Sequence, residues 1–177
     1  MAALNLEGSL FVNNFELGNS PNGIYQPFYS TVELTRAKEQ RHNDFAFADK
    51  ESLLACVSLK DKCFSVFDTL LPPRQSQIFN VKSSNTGGSL MLLHQKSAYK
   101  AFTFNSKPGY YSQLDLRKLT SSLEEQKNSE CVVKTAQISK EEITAVTFDD
   151  TQTNLIAGSA DGLVRTFAVD ENMTEVG

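Results

Sequence analysis

Residues 143–170, ITAVTFDDTQTNLIAGSADGLVRTFAVD, read as three short strands joined by two turns. Ile143, Ala145 and Thr147 alternate with Thr144, Val146 and Phe148, the period of two that sends successive side chains to opposite faces of a sheet. The polar run 149–154 is a turn cluster, and 155–159 is a second strand, small and apolar. Ala160-Asp161-Gly162 is a tight turn, because Asp-Gly between two apolar runs is the strongest short-range hairpin signal. Residues 163–169 form the third strand, which Asp170 ends. A chain assembled from such triplets is constrained to an all-β fold.

The pattern recurs along the chain. Residues 8–17 repeat a glycine turn followed by a strand with an aromatic near its end. Residues 44–47, 53–57 and 63–68 form a second triplet, with Lys60-Asp61-Lys62 as its tight turn, and 88–93, 98–104 and 110–115 form a third. The third-strand ends Phe15, Phe67, Leu114 and Phe167 lie 52, 47 and 53 residues apart. A WD-repeat blade runs roughly 40–45 residues, so these are slightly long blades with extended outer connections. Ser159-Ala160-Asp161-Gly162 stands at the usual blade turn, and Phe167-Ala168 stands where WD repeats often carry Trp-Asp. Fourth, outer strands are expected at 26–34, 76–81 and 131–136, serving the first, second and third blades. The fold class expected is therefore all-β, about three and a half WD-repeat β-propeller blades that are part of a larger propeller. Along the chain, 1–17 is the end of a first blade. Residues 18–68 and 69–115 are the second and third blades, each with its preceding outer strand. Residues 116–130 are a polar insert, and 131–177 hold the last blade and the C-terminal tail. Within the insert, Ser121 or Ser122 offers a cap for a short helix through Glu124 or Glu125, although a solvated loop or single turn fits its polarity better.

Propellers use four to eight blades to close their ring, so this count leaves the ring open. Unpaired strand edges and apolar blade faces, with Leu10, Phe11, Leu163 and Val164 expected on them, favour pairing with a partner. The partner expected is another propeller-containing chain or the missing part of the same protein.

The remaining features exclude several classes. A length of 177 residues allows one domain with an appendage, and a net charge of −4 with scattered Lys and Arg offers no footprint for nucleic acid. The apolar runs are far too short for a membrane span, and residues 1–7 lack the basic and apolar regions of a signal peptide. Three cysteines, Cys56, Cys63 and Cys131, lack metal-ligand spacing and fit a reducing compartment; the sequon at Asn172 then carries no meaning. A cytoplasmic location is expected. His42, in a polar connector, and His94, at a strand end, are the only histidines, and neither pairs with a nucleophile in the sequence. Asp49, Asp149 and Asp150 fall in turns, where aspartate caps the backbone. Gly87-Gly88 and Gly158-Ser159 are too sparse for a phosphate loop. Cys56 and Cys63 are expected in the core, and Tyr110-Tyr111 partly exposed. No catalytic, cofactor-binding or metal residue is expected, and so no enzyme. The residues singled out are structural: the turn and blade motif of Ser159, Asp161, Gly162, Phe167, Phe67, Asp68, Pro72 and Pro73.

The run Phe67-Asp68-Thr69-Leu70-Leu71-Pro72-Pro73-Arg74, an aromatic-Asp strand end followed by Thr-Leu-x-x-Pro, resembles the C-terminal propeller of the DmX-like (rabconnectin) family. Asp44-Phe45-Ala46-Phe47 resembles that family's Asp-Phe-Ala-Phe strand, and residues 8–17 its preceding half-blade. Residues 87–92 resemble its Gly-Ala-Thr-Val-Leu segment, and Gly158-Ser159-Ala160-Asp161-Gly162 its closing Gly-Ser-Ala-Glu-Gly turn. The likeness runs through residues 8–170 in matching order. It implies a scaffold that promotes assembly of the vacuolar-type proton ATPase, peripheral on endosomal, vacuolar or vesicle membranes. The alternative is a subunit of some other WD-propeller assembly. The chain departs from common WD blades in having no tryptophan, so the His-Asp-Ser-Trp network cannot form in the last blade and apolar packing has to carry more.

Overall fold

The computed structural model describes residues 2–5, 7–18, 26–35, 40–47, 53–72, 74–97, 99–119, 128–170 and 173–176. They form four antiparallel sheets. Sheet 1 holds β1 (Ala2–Leu4), β2 (Leu10–Gly18) and β3 (Gln26–Thr35). Sheet 2 holds β4 (Asp44–Phe47), β5 (Leu53–Ser58), β6 (Cys63–Asp68) and β7 (Gln77–Lys82). Sheet 3 holds β8 (Leu90–Leu93), β9 (Lys100–Phe104), β10 (Tyr110–Asp115) and β11 (Val132–Gln137). Sheet 4 holds β12 (Ile143–Phe148), β13 (Asn154–Ser159) and β14 (Val164–Ala168). Among the described residues there is no α-helix, only two short 3-10 turns, at Leu116–Lys118 and Asn128–Cys131. The short helix that 121–125 could form, the turn Asp49, Pro73 and the sequon at Asn172 lie outside the described residues.

Each strand pairs with its sequence neighbour, as a meander of short turns dictates. The expected outer strands take the fourth positions: β7 pairs with β6 and β11 with β10, while β3 pairs with β2. Sheet 4 has no fourth strand among the described residues. There, Glu175 makes a single bridge to Phe167 on the outer edge of β14. The first strands of sheets 2, 3 and 4 lie against one another, β4 beside β8 and β8 beside β12. That is the arrangement of inner strands in successive propeller blades.

The core consists of three apolar slabs between the sheets. Leu10 and Val12 of sheet 1 meet Leu54, Cys56 and Phe67 of sheet 2. The other face of sheet 2, with Val57, Phe64 and Val81, meets Met91, Ala101 and Leu114 of sheet 3. The other face of sheet 3, with Phe102, Phe104 and Tyr111, meets Ile143, Leu155 and Phe167 of sheet 4. Strands β5, β6 and β9 are therefore buried on both faces, and they read as near-continuous apolar runs. Along β13, by contrast, burial alternates residue by residue, because only one face of sheet 4 is covered. The uncovered face is reached by Ala145, Thr147, Ile156, Gly158, Val164 and Thr166, which stand opposite one another in the strand register.

Two expectations about exposure need correction. Leu10 is fully buried at the junction of sheets 1 and 2 rather than on an open face, and Phe11 is half-buried. Tyr111 is also fully buried, because its sheet is covered on both sides, which a period of two in the sequence cannot distinguish from one. Leu163 and Val164 do stand open, at 53% and 69% exposure.

Candidate functional site

The turn after β13 shows how the last blade replaces its missing tryptophan network. Gly162 N donates to Ser159 O at 3.0 Å and Ser159 N to Leu163 O at 3.1 Å, a three-residue hairpin loop whose third residue, Gly162, has φ +80°. The Asp161 carboxylate sits at its centre. It accepts from the Ser159 hydroxyl, from Leu163 N at 3.0 Å and from Arg165 Nη2 at 2.7 Å. Arg165 Nη1 also donates to Ser159 Oγ at 2.8 Å. The Arg165 guanidinium first, and the Ser159 hydroxyl after it, hold the Asp161 carboxyl well below the usual carboxylate range. Arg165 is not among the residues singled out in the sequence, although Asp-x-x-x-Arg across a tight turn places the two side chains within reach. Phe167 takes no part in this network; it is buried against sheet 3.

A Cβ at position 162 would meet nothing within 4 Å, so only the backbone resists substitution there. Gly162→Val is therefore expected to destabilise the chain by about 1 kcal/mol, the penalty of a β-branched residue at positive φ. Thermal melting of parent and variant checks this, and equal midpoints would contradict it.

The other predicted residues occupy a second place, two sheets away. Phe67 is buried against sheet 1. Asp68 accepts from Leu70 N at 2.9 Å through its carboxylate and donates its own N–H to Ser76 O at 2.7 Å, shaping the exit from β6. The Pro72 carbonyl accepts from Gln75 N at 2.8 Å, closing the next turn. The matching turn of sheet 2 uses Asp61, which accepts from Ser58 Oγ at 2.9 Å and Arg41 N at 3.0 Å. The described motif residues thus lie in two separate regions, around the β13–β14 turn and at the exit from β6, and do not converge on one cavity.

The polar groups with chemical potential are likewise spent on structure. Asp149 accepts from the N–H groups of Thr153 and Asn154, from Asn154 Nδ2 and from Thr151 Oγ1, at 2.8–3.1 Å. The backbone N–H of Asn154 leads the contacts that hold its carboxyl far below the usual range. His94 has structural partners on both nitrogens. Nδ1 accepts from Ser97 N at 3.0 Å, so Nε2 carries the proton and donates to Gln152 O at 3.0 Å. His42 is buried without a hydrogen-bond partner on either nitrogen. Cys56, Cys63 and Cys131 are free and buried, and burial pushes all three thiols up, Cys131 to about 11. Among the described residues, no three His, Cys, Asp or Glu side chains converge as metal ligands. No described helix is long and apolar enough to cross a membrane.

The sheets are joined by a small number of specific polar contacts. Asp44 Oδ2 on β4 accepts from Met91 N on β8 at 2.8 Å. Asn105, at φ +63° after β9, reaches into sheet 4: its Oδ1 accepts from Ile143 N at 2.9 Å, and its Nδ2 donates to Ile143 O at 2.7 Å. Gln152 Oε1 accepts from Gln95 N at 2.9 Å, tying the outer turns of sheets 3 and 4 together. A groove of about 440 Å³ is lined by Leu92, Leu93, Phe148 and Asp150, among others. These contacts tie neighbouring sheets together; among the described residues they bring no nucleophile and base together.

No protein-family model matches the chain, and no curated protein does. Among solved structures it is similar to Kluyveromyces lactis Hsv2, a yeast WD40 β-propeller protein, with a TM-score of 0.52 and 10% identity over 77% of this chain and 35% of that one. It is similar also to a form of that protein whose loop 6CD is replaced by a Gly-Ser linker, with a TM-score of 0.52 and 10% identity over 77% of this chain and 38% of that one. The chain thus spans little more than a third of the length of the propellers it matches. What the likeness carries is the fold, an all-β array of β-propeller-type blades.

Proposed function

We propose that the chain is a non-enzymatic propeller segment that works as a scaffold, docking its uncovered end blade onto further blades supplied by another chain or by the rest of the same protein. The observation that carries this reading is the asymmetry of burial. Sheets 2 and 3 are covered on both faces, while sheet 4 presents one face to solvent and lacks a full outer strand among the described residues. Val164 on that face and Leu163 beside it are 69% and 53% exposed. Burying apolar surface yields roughly 25 cal/mol per Å², so a further blade stacked there is favoured. In this reading the repeats run 1–17, 18–68, 69–115 and 131–177, with 116–130 as a polar insert.

The finer reading is a rabconnectin-type role in assembling the vacuolar-type proton ATPase, peripheral on acidifying compartments and without a cofactor. It is supported by the ordered motifs of residues 8–170, above all Phe67-Asp68 with Pro72-Pro73 and Gly158–Gly162. The alternative reading, a propeller subunit of a different assembly, rests on the fold alone. Affinity capture from cells followed by mass spectrometry separates them. Proton-pump subunits, or a companion chain bearing the earlier rabconnectin regions, are expected. Reproducible capture of an unrelated complex would overturn the finer reading and leave the scaffold.

A further inference from the structure

We propose that the junction between sheets 1 and 2 is an acid-opened joint, with the buried imidazole of His42 as its trigger. The three junctions in this chain are built differently. Between sheets 2 and 3 and between sheets 3 and 4, Asp44 and Asn105 lock one sheet to a backbone group of the next. At the first junction, among the described residues, His42 N donates to Gly8 O at 3.1 Å. The His42 side chain is 3% exposed, with its ring edge-on to Phe67 at 5.8 Å. Phe67 belongs to the apolar slab of Leu10, Val12, Leu54 and Cys56 that holds sheet 1 to sheet 2. Neither ring nitrogen has a hydrogen-bond partner. A neutral imidazole tolerates such a site poorly, and an imidazolium, with two N–H donors and a charge, tolerates it far less.

The groups around His42 offer little to offset that charge. Asp61, on the turn between β5 and β6, is the carboxylate that acts on it, but its oxygens already accept from Ser58 Oγ and Arg41 N. Cys56 and Cys63, on β5 and β6, are thiols kept neutral by burial. On the flanks of His42, Asp44 is turned towards Met91 of sheet 3, and Arg41 is exposed. On the sheet 1 side, Glu7 and Glu33 are exposed. Burial therefore outweighs Asp61 and pulls the imidazole down to about 4. The direction of the linkage follows. A histidine depressed in the closed state binds its proton better once the joint is open, where its affinity returns to the ordinary value near 6.5. The closed joint is at full strength above about pH 6.5 and weakens as pH falls from there towards 4. Between pH 7.5 and 5.0 the open population rises roughly 30-fold.

Hydrogen exchange on the whole chain tests this, with rates corrected for the intrinsic effect of pH. Exchange of the His42 amide and of the amides from Leu10 to Val12 is expected to speed up by roughly 30-fold between pH 7.5 and 5.0, while β9 and β10 keep their protection. In His42→Phe, which fills the same space without a titrating group, the rise is expected to vanish. No rise in the parent, an equal rise in the variant, or a rise shared by β9 and β10 would overturn the proposal. Should the variant fail to fold, proton NMR of the parent decides: a His42 ring signal titrating below pH 5 supports the joint, and one titrating at 6.5 or above overturns it.

Discussion

Replacing Phe102 by alanine is expected to destabilise the chain by roughly 3–5 kcal/mol, the range for truncating a fully buried aromatic ring. Phe102 is fully buried on β9, on the face of sheet 3 that packs against sheet 4. Its ring meets Phe148 of β12 edge-on at 5.7 Å, and Phe148 in turn meets His94 at 5.4 Å. The ring therefore belongs to both sheets at once. Truncation removes its transfer free energy and leaves a cavity between two stiff layers that cannot collapse onto it. Because small domains are stable by only about 5–15 kcal/mol in total, such a loss removes a large share of the stability. Urea unfolding at fixed protein concentration checks it: a lower midpoint at unchanged slope is expected. A midpoint within experimental error of the parent would show that sheets 3 and 4 are not packed as described.

The second large effect is expected at Asn105. Its side chain is 4% exposed and satisfies both the N–H and the C=O of Ile143 while also donating to Ser89 Oγ at 2.8 Å. Asn105→Ala leaves two buried backbone groups without partners, at about 1–3 kcal/mol each, and puts alanine at φ +63°, where asparagine is tolerated. A loss of about 3 kcal/mol is expected. Asn105→Gly separates the two causes, because it relieves the backbone and keeps the orphaned groups. If the bridge matters, the glycine variant remains clearly destabilised and the Ile143 amide exchanges faster in both variants. A glycine variant as stable as the parent would reduce Asn105 to a turn residue.

The fold is legible in the sequence because turns and strands are local. Asp161-Gly162 between apolar runs, Lys60-Asp61-Lys62 before Cys63, and the alternation from Ile143 to Phe148 each announce a hairpin within a dozen residues. What is not legible lies between sheets. Asn105 stands in a recognisable turn, yet its partner Ile143 is 38 residues away. Tyr111 reads as partly exposed and Leu10 as lying on an open face because alternation tells which residues share a face and not whether that face is covered. His94 finds Gln152, 58 residues on, only because β8 and β12 lie side by side. Arg165 escapes a sequence reading for a different reason. The absence of tryptophan reads as the loss of a network, and an arginine four residues after Asp161 rebuilds one with other chemistry.

The uncovered face of sheet 4 is milder than the buried faces of sheets 2 and 3. It offers Val164 and Ile156 among Thr147, Thr166 and Gly158, where the covered faces carry Phe64, Phe102 and Tyr111. In the proposed scaffold, strand edges would contribute to docking alongside apolar area. Size-exclusion chromatography with light scattering, run with thermal melting on the purified chain, tests the need for a partner most directly. Self-association, aggregation or a broad melt is expected of an open stack of blades. A monodisperse monomer with a sharp cooperative melt would contradict the open ring and the scaffold reading built on it.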